Sequence, residues 1–194
     1  SNKQKMTQKA EIAVGFGILF IGLSSMSSSI GVYQDSPVFY KAFQVLGGNP
    51  ILGILVGAVV TAIIQSSSAS VGILQTLAMR GIVNWRSAIF ITLGQNIGTC
   101  ITAILSSAGA NKTAKRAAVI HLSFNVLGAA IYGVIMTIFF GIFPDLAMQH
   151  ISSTQISIFH SIFNISVTIL LFPFANALVK SVSYTHLRAH ETEL

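Results

Sequence analysis

The sequence predicts an all-α membrane protein of about four transmembrane helices plus one re-entrant helical hairpin. Three observations carry that prediction. Of the 194 residues 53% are hydrophobic and only 8% charged, where an ordinary soluble domain has roughly 25% charged residues. Four apolar stretches reach the ~20 residues a helix needs to cross a hydrocarbon core. Between the first and second of them, two shorter apolar segments flank a polar cluster.

The four long stretches are residues 11–32, 86–107, 114–143 and 152–182. The third and fourth are long enough to tilt or to project beyond the bilayer. Segments 50–64 and 69–79 are apolar but too short to cross alone, so the expected arrangement for 50–80 is two half-helices that enter the membrane and return on the same side.

Charge distribution tests that topology. With a cytoplasmic N-terminus, four spans and one re-entrant hairpin place Lys3, Lys5, Lys9, Lys112, Lys115, Arg116 and Lys180 inside, and Lys41, Arg80 and Arg86 outside with Asp35 and Asp145. This agrees with the excess of Lys and Arg found on cytoplasmic loops. Two full spans in place of the hairpin would move Lys112 to Arg116 outside and spoil the bias. Basic residues scattered at segment ends, despite a formal charge of +6, read as topology signals, and no nucleic-acid partner is expected.

Both ends of the chain carry expectations of their own. The polar, basic start SNKQKMTQK runs into an apolar segment with no small-residue cleavage site, so no removed signal peptide is expected. Residues 184–194 break abruptly in polarity from everything before them and read as a non-native tail, leaving 1–183 as the membrane unit. Cys100, the single cysteine, has no disulfide partner and reads as a small packing residue.

The chemistry concentrates at Gln65-Ser66-Ser67-Ser68-Ala69-Ser70, where five of six residues are polar. An unsatisfied backbone group in hydrocarbon costs several kcal/mol, so a helix breaks at membrane depth only beside protein or a water-filled cavity. At such a break the C-terminal carbonyls of one half-helix attract a cation, and the N-terminal N–H groups of the other attract an anion. Ser66, Ser67 and Ser68 add hydroxyls, and Gln65 adds an amide donor and carbonyl. The plainer alternative is that the serines bond back to their own helix or pack helices closely.

A second polar cluster interrupts the second span at Gly94-Gln95-Asn96-Ile97-Gly98-Thr99. It reads either as unwound backbone offering oxygens to sodium, or as a G-x-x-x-G face for close helix packing. The third and fourth spans share H-x-x-F-N, as His121 to Asn125 and His160 to Asn164. His and Asn four residues apart fall on one helix face, so both spans are expected to line a common buried surface, with the asparagines bracing the broken segments. An enzymatic reading lacks an intramembrane carboxylate, a nucleophile with a His-Asp pair and a metal-ligand cluster.

With Q-S-S-S at Gln65 to Ser68, G-x-N-I-G-T at Gly94 to Thr99, and the stretches KRAAVIHLSFN and LFPFANAL, the chain resembles the sodium-phosphate cotransporter family of type II, in its bacterial branch. The resemblance implies sodium-driven movement of inorganic phosphate across the plasma membrane, with phosphate at Gln65, Ser66, Ser67 and Ser68 and sodium at Gln65, Ser68, Gln95, Asn96 and Thr99. Ser70, His121, Asn125 and Asn164 would support these sites; no cofactor beyond sodium as coupling ion is implied. Transporters of this family carry two inverted units, each with its own Q-S-S-S, whereas this sequence contains one. The wording around the motif resembles the second, C-terminal unit. The expectation is therefore half of an inverted-repeat transporter, whose partner is a missing N-terminal repeat or a second copy.

Overall fold

The computed structural model describes residues 2–31, 45 and 49–180, and all its regular elements are helical. They are α1 (Asn2–Gly31), α2 (Pro50–Ile64), α3 (Ser67–Met79), α4 (Trp85–Gly98), α5 (Cys100–Ser107), α6 (Lys112–Ile142), α7 (Pro144–Met148) and α8 (Ser153–Leu171). After α8 comes a 3₁₀ turn, Phe172–Phe174, at Pro173, and helix resumes to Lys180. Asp35, Lys41 and the tail 184–194 lie outside the described residues.

Among the described residues three helical segments are long and apolar enough to cross a membrane: Trp85–Ser107, Lys112–Ile142 and Ser153–Lys180. They match the second, third and fourth predicted spans within a few residues. α1 covers the first and begins earlier, in the polar N-terminal residues. Two of the spans turn apolar faces outward: Val134, Ile135, Ile138 and Ile142 on α6, and Ile158, Ile162, Ile165 and Ile169 on α8, are all exposed. Large exposed apolar faces on otherwise regular helices suit a lipid surround, where burial in protein is not needed to hide them.

The protein interior is built around α4, where every residue from Ser87 to Asn96 is buried. Asn84 caps this helix, accepting from the Ser87 N–H at 2.9 Å, while the Ser87 hydroxyl accepts from the Asn84 N–H in return. Leu74 and Leu77 from α3, Phe140 from α6, and Ile156, Phe163 and Val167 from α8 complete the core with Ile89, Phe90 and Leu93. Phe90 and Phe140 meet edge to face, 6.1 Å apart. Between α6 and α8, Tyr132 and Phe163 meet edge to face at 5.0 Å, and Tyr132 shares a hydrogen bond with Ser166.

α2 runs parallel to α4 at near-contact distance. A Cβ built on Gly94 would lie 1.9 Å from the Ile54 carbonyl oxygen, one on Gly98 2.4 Å from that of Ala58, and one on Gly57 2.1 Å from that of Ile91. Only glycine permits so close an approach, so Gly94 and Gly98 form a close-packing face. Of the two readings of 94–99, unwinding is not found: α4 is helical through Gly98, and Thr99 keeps αR geometry with its N–H bonded to the Gln95 carbonyl. Continuous backbone is favoured because the α2 carbonyls at this depth are engaged within their own helix and leave nothing to accept from freed amides of α4.

The loops at one end of the molecule are tied together. Asn84 and His150 form an isolated antiparallel bridge, and the Trp85 N–H donates to the Gln149 carbonyl at 3.0 Å. The α3–α4 turn, with Gly81 at φ +69°, therefore shares an end with the α6–α8 connection. The α5–α6 turn, with Lys112, Lys115 and Arg116, stands at the other.

Candidate functional site

α2 and α3 form a helical hairpin with a break of only two residues, Gln65 and Ser66. The run of serines dictates the short break: Ser66 is an N-cap residue in extended conformation, and its hydroxyl accepts from the Ala69 N–H at 3.3 Å. Ser67 and Ser68 consequently lie in the first turn of α3, which starts two residues earlier than the expected 69. On the other side, Gln65 adopts φ 56°, ψ 21° and closes α2 by donating its N–H to the Thr61 carbonyl. It is the one non-glycine with positive φ among the described residues, a conformation more often taken by Gly or Asn.

The two helix ends meet in opposed polarity. The carbonyls of Ala62, Ile63 and Ile64 have no intrahelical N–H to accept from, and the N–H groups of Ser67 and Ser68 no intrahelical carbonyl to donate to. Gln65, Ser67 and Ser68 are exposed and Ser66 is half-buried. The tip thus carries a cation-attracting and an anion-attracting helix end within one turn of chain.

A buried polar cluster holds the tip to α4. Gln95 Nε2 donates to the Ser70 carbonyl at 2.9 Å and to its hydroxyl at 3.0 Å, and Ser70 Oγ lies 2.6 Å from Thr61 Oγ1. All three residues are buried. Because a carbonyl can only accept, the Gln95 amide nitrogen must face Ser70, which turns Oε1 away. That oxygen is buried with no hydrogen-bond partner. A cavity of about 100 Å³ lies beside the cluster, lined by Ser70, Gln95, Gly57, Leu74 and other apolar residues of the hairpin and α4.

Asn96, on the adjoining face, donates to the Thr92 carbonyl at 2.9 Å and presents Oδ1 to His160 Nε2 of α8 at 3.3 Å. Thr99 is half-buried and donates to the Asn96 carbonyl at 2.6 Å. The two H-x-x-F-N copies share one internal geometry: Asn125 donates to the His121 carbonyl at 2.9 Å, and Asn164 to the His160 carbonyl at 2.8 Å. Each asparagine therefore braces its own helix rather than a broken segment. The common buried surface is only half formed, since His160 turns inward to Asn96 while His121 is exposed.

The structure thus gathers Gln65, Ser66, Ser67 and Ser68 at the hairpin tip, ties Gln95 to Ser70 beneath them, and joins Asn96 to His160. It leaves His121, Asn125 and Asn164 apart from the tip's hydrogen bonds. Sequence reasoning missed Thr61, whose signal was the Gly53, Gly57, Thr61 spacing of small residues along one face of α2.

The model of a family described as Na+/Pi-cotransporter matches residues 36–163. Protein YqeW of Bacillus subtilis is 32% identical over 84% of this chain and 52% of its own length. Protein YjbB of Salmonella typhimurium, whose name proposes it as an inorganic phosphate exporter, is 24% identical over 89% of this chain and 32% of its own. The rat sodium-dependent phosphate transport protein 2A is 33% identical over 63% of this chain and 21% of its own. The chain therefore spans about half the length of YqeW and a third or less of the other two. No solved structure matches. Helices apolar enough to cross a membrane and a family match covering most of the chain agree: this is a membrane protein of the Na+/Pi-cotransporter family.

Proposed function

We propose that the chain forms one repeat of a sodium-coupled transporter of inorganic phosphate, and that α2–α3 is its re-entrant hairpin. The observation that carries this reading is a two-residue helix break followed, four residues on, by a bond to the middle of α4–α5: Gln95, which holds Ser70 of α3, is eleventh of the 23 residues from Trp85 to Ser107. α2 and α3, with 15 and 13 residues, reach only about 22 and 20 Å against a hydrocarbon core of about 30 Å. A hairpin of that length enters, stops at mid-depth and returns.

Phosphate binds at the N-terminus of α3 through the Ser67 and Ser68 N–H groups and the hydroxyls of Ser66, Ser67 and Ser68, with the Gln65 amide as a further donor. Sodium takes oxygens from Gln65, Ser68, Gln95, Asn96 and Thr99; the unpartnered Gln95 Oε1 supports its part, because a buried amide oxygen without a donor suits a cation. Residues 1–183 make the unit, with four spans, a cytoplasmic N-terminus and a plasma-membrane location. Its partner is the inverted N-terminal repeat rather than a second copy, since a copy with the same charge bias would insert in the same orientation.

Uptake of labelled phosphate into proteoliposomes holding the intact transporter, with and without an imposed sodium gradient, tests the reading. Flux that ignores sodium would overturn the coupling. A second reading, phosphate export, is favoured by the likeness to YjbB, and the same vesicles loaded with phosphate report its direction.

A further inference from the structure

We propose that the groove between α5 and α6 is a binding site for an anionic phospholipid, distinct from the hairpin tip and independent of the transport reading. The groove holds about 380 Å³ and is lined by Ala103, Ser106, Ser107, Ala114, Ala117, Ala118 and His121. Its walls are mostly methyl groups, and it opens to the outside of the protein between two spans, so an acyl chain fits its chemistry.

The groove ends where the spans end, and there three cations gather. Lys112 and Lys115 are exposed, and Arg116 is half-buried with an Nε that is buried and unpartnered. Among the described residues the carboxylates are Glu11 and Asp145. Asp145 follows the far end of α6, about 45 Å along the helix, and Glu11 lies on α1, which packs against α3. The three cations therefore have no carboxylate of α5 or α6 to neutralise them.

A lipid phosphate satisfies this arrangement in one step. Its charge is drawn to Lys112, Lys115 and Arg116, the Ser106 hydroxyl stands at the same end to donate, and the chain fills the alanine-lined groove. Basic pockets between spans at the cytoplasmic surface are suited to anionic headgroups, each Lys or Arg adding to the attraction. A zwitterionic lipid gains the groove but little of the charge.

Native mass spectrometry of the purified full chain, titrated with phosphatidylglycerol or phosphatidylcholine, tests the site. Phosphatidylglycerol is expected to be retained about tenfold or more over phosphatidylcholine. A triple K112Q/K115Q/R116Q variant should lose that preference, and a groove-filling Ala117→Leu variant should lose the bound lipid, both with unchanged helical circular dichroism. Equal retention of the two lipids, or a triple variant that still prefers phosphatidylglycerol, overturns the proposal. So does displacement by millimolar inorganic phosphate, which would make the cations a free-phosphate site. Undiminished binding to Ala117→Leu overturns the groove, and a dimer that Ala117→Leu dissociates would assign the face to a second copy.

Discussion

Gln95 and Ser70 are 25 residues apart in sequence, yet the Gln95 amide donates to both the carbonyl and the hydroxyl of Ser70, at 2.9 and 3.0 Å. This bifurcated contact fixes the depth of the hairpin tip against α4. Through the 2.6 Å contact of Ser70 with Thr61 it reaches both half-helices at once.

Replacing Gln95 with methionine keeps the volume and removes both polar atoms. Loss of the two donated bonds, with a buried Ser70 hydroxyl left short of one partner, should cost about 1–3 kcal/mol. The thermal unfolding midpoint of the intact transporter should fall, and any upward shift of that midpoint with sodium should shrink. An unchanged sodium response would remove Gln95 Oε1 from the cation site while leaving its bracing role intact.

The glycines of α4 give a prediction with an internal control. Gly94→Ala places a methyl 1.9 Å from the Ile54 carbonyl oxygen, and backbone cannot swing aside as a flexible side chain does. The substitution should force α2 and α4 apart and cost roughly 3 kcal/mol or more, at the upper end of overpacking effects. Gly141→Ala meets nothing within 4 Å and should be tolerated. Yields of folded protein on size-exclusion chromatography separate the two.

How much of this was legible in the sequence depended on whether the signal was local. Segment lengths and the polar run at Gln65 to Ser70 exposed the spans and the helix break, because each is written within one stretch of chain. The start of α3 was misplaced by two residues because Ser66 alone supplies the cap, leaving Ser67 and Ser68 free to be helical. Gly94 and Gly98 could be read as unwinding or as close packing. Only the position of Ile54 and Ala58 on another helix decided between them. The two H-x-x-F-N copies are alike in sequence and in backbone bonding, yet His160 faces Asn96 and His121 faces outward. Helix rotation is set by neighbours, which the motif does not encode.

The hairpin tip gives a prediction in which backbone and side-chain effects separate. Gln65 sits at φ 56°, so Gln65→Gly relieves the left-handed strain while deleting the amide, and Gln65→Val deletes it while adding a β-branched clash of about 1–2 kcal/mol. If the amide binds ligand, both variants should raise the phosphate or sodium concentration needed for half-maximal uptake. If Gln65 serves only to turn the chain, Gln65→Gly should transport like the parent and only Gln65→Val should fail.

Ser66 and Ser67 divide the roles at the α3 N-terminus in the same way. The Ser66 hydroxyl accepts from the Ala69 N–H, so Ser66→Ala removes a cap and should cost about 1 kcal/mol of stability. Ser67 is exposed at the first position of the helix and its hydroxyl makes no cap, so Ser67→Ala should leave the unfolding midpoint nearly unchanged. Its expected effect is on ligand: loss of one donor to a phosphate oxygen should weaken apparent phosphate affinity about tenfold, in the range of a hydrogen bond to a charged group. Uptake measured across phosphate concentrations, beside a thermal melt of the same preparation, distinguishes the two serines. A Ser67→Ala protein with parental affinity and sodium dependence would make the exposed serines structural, and phosphate would then have to bind elsewhere than on this hydroxyl.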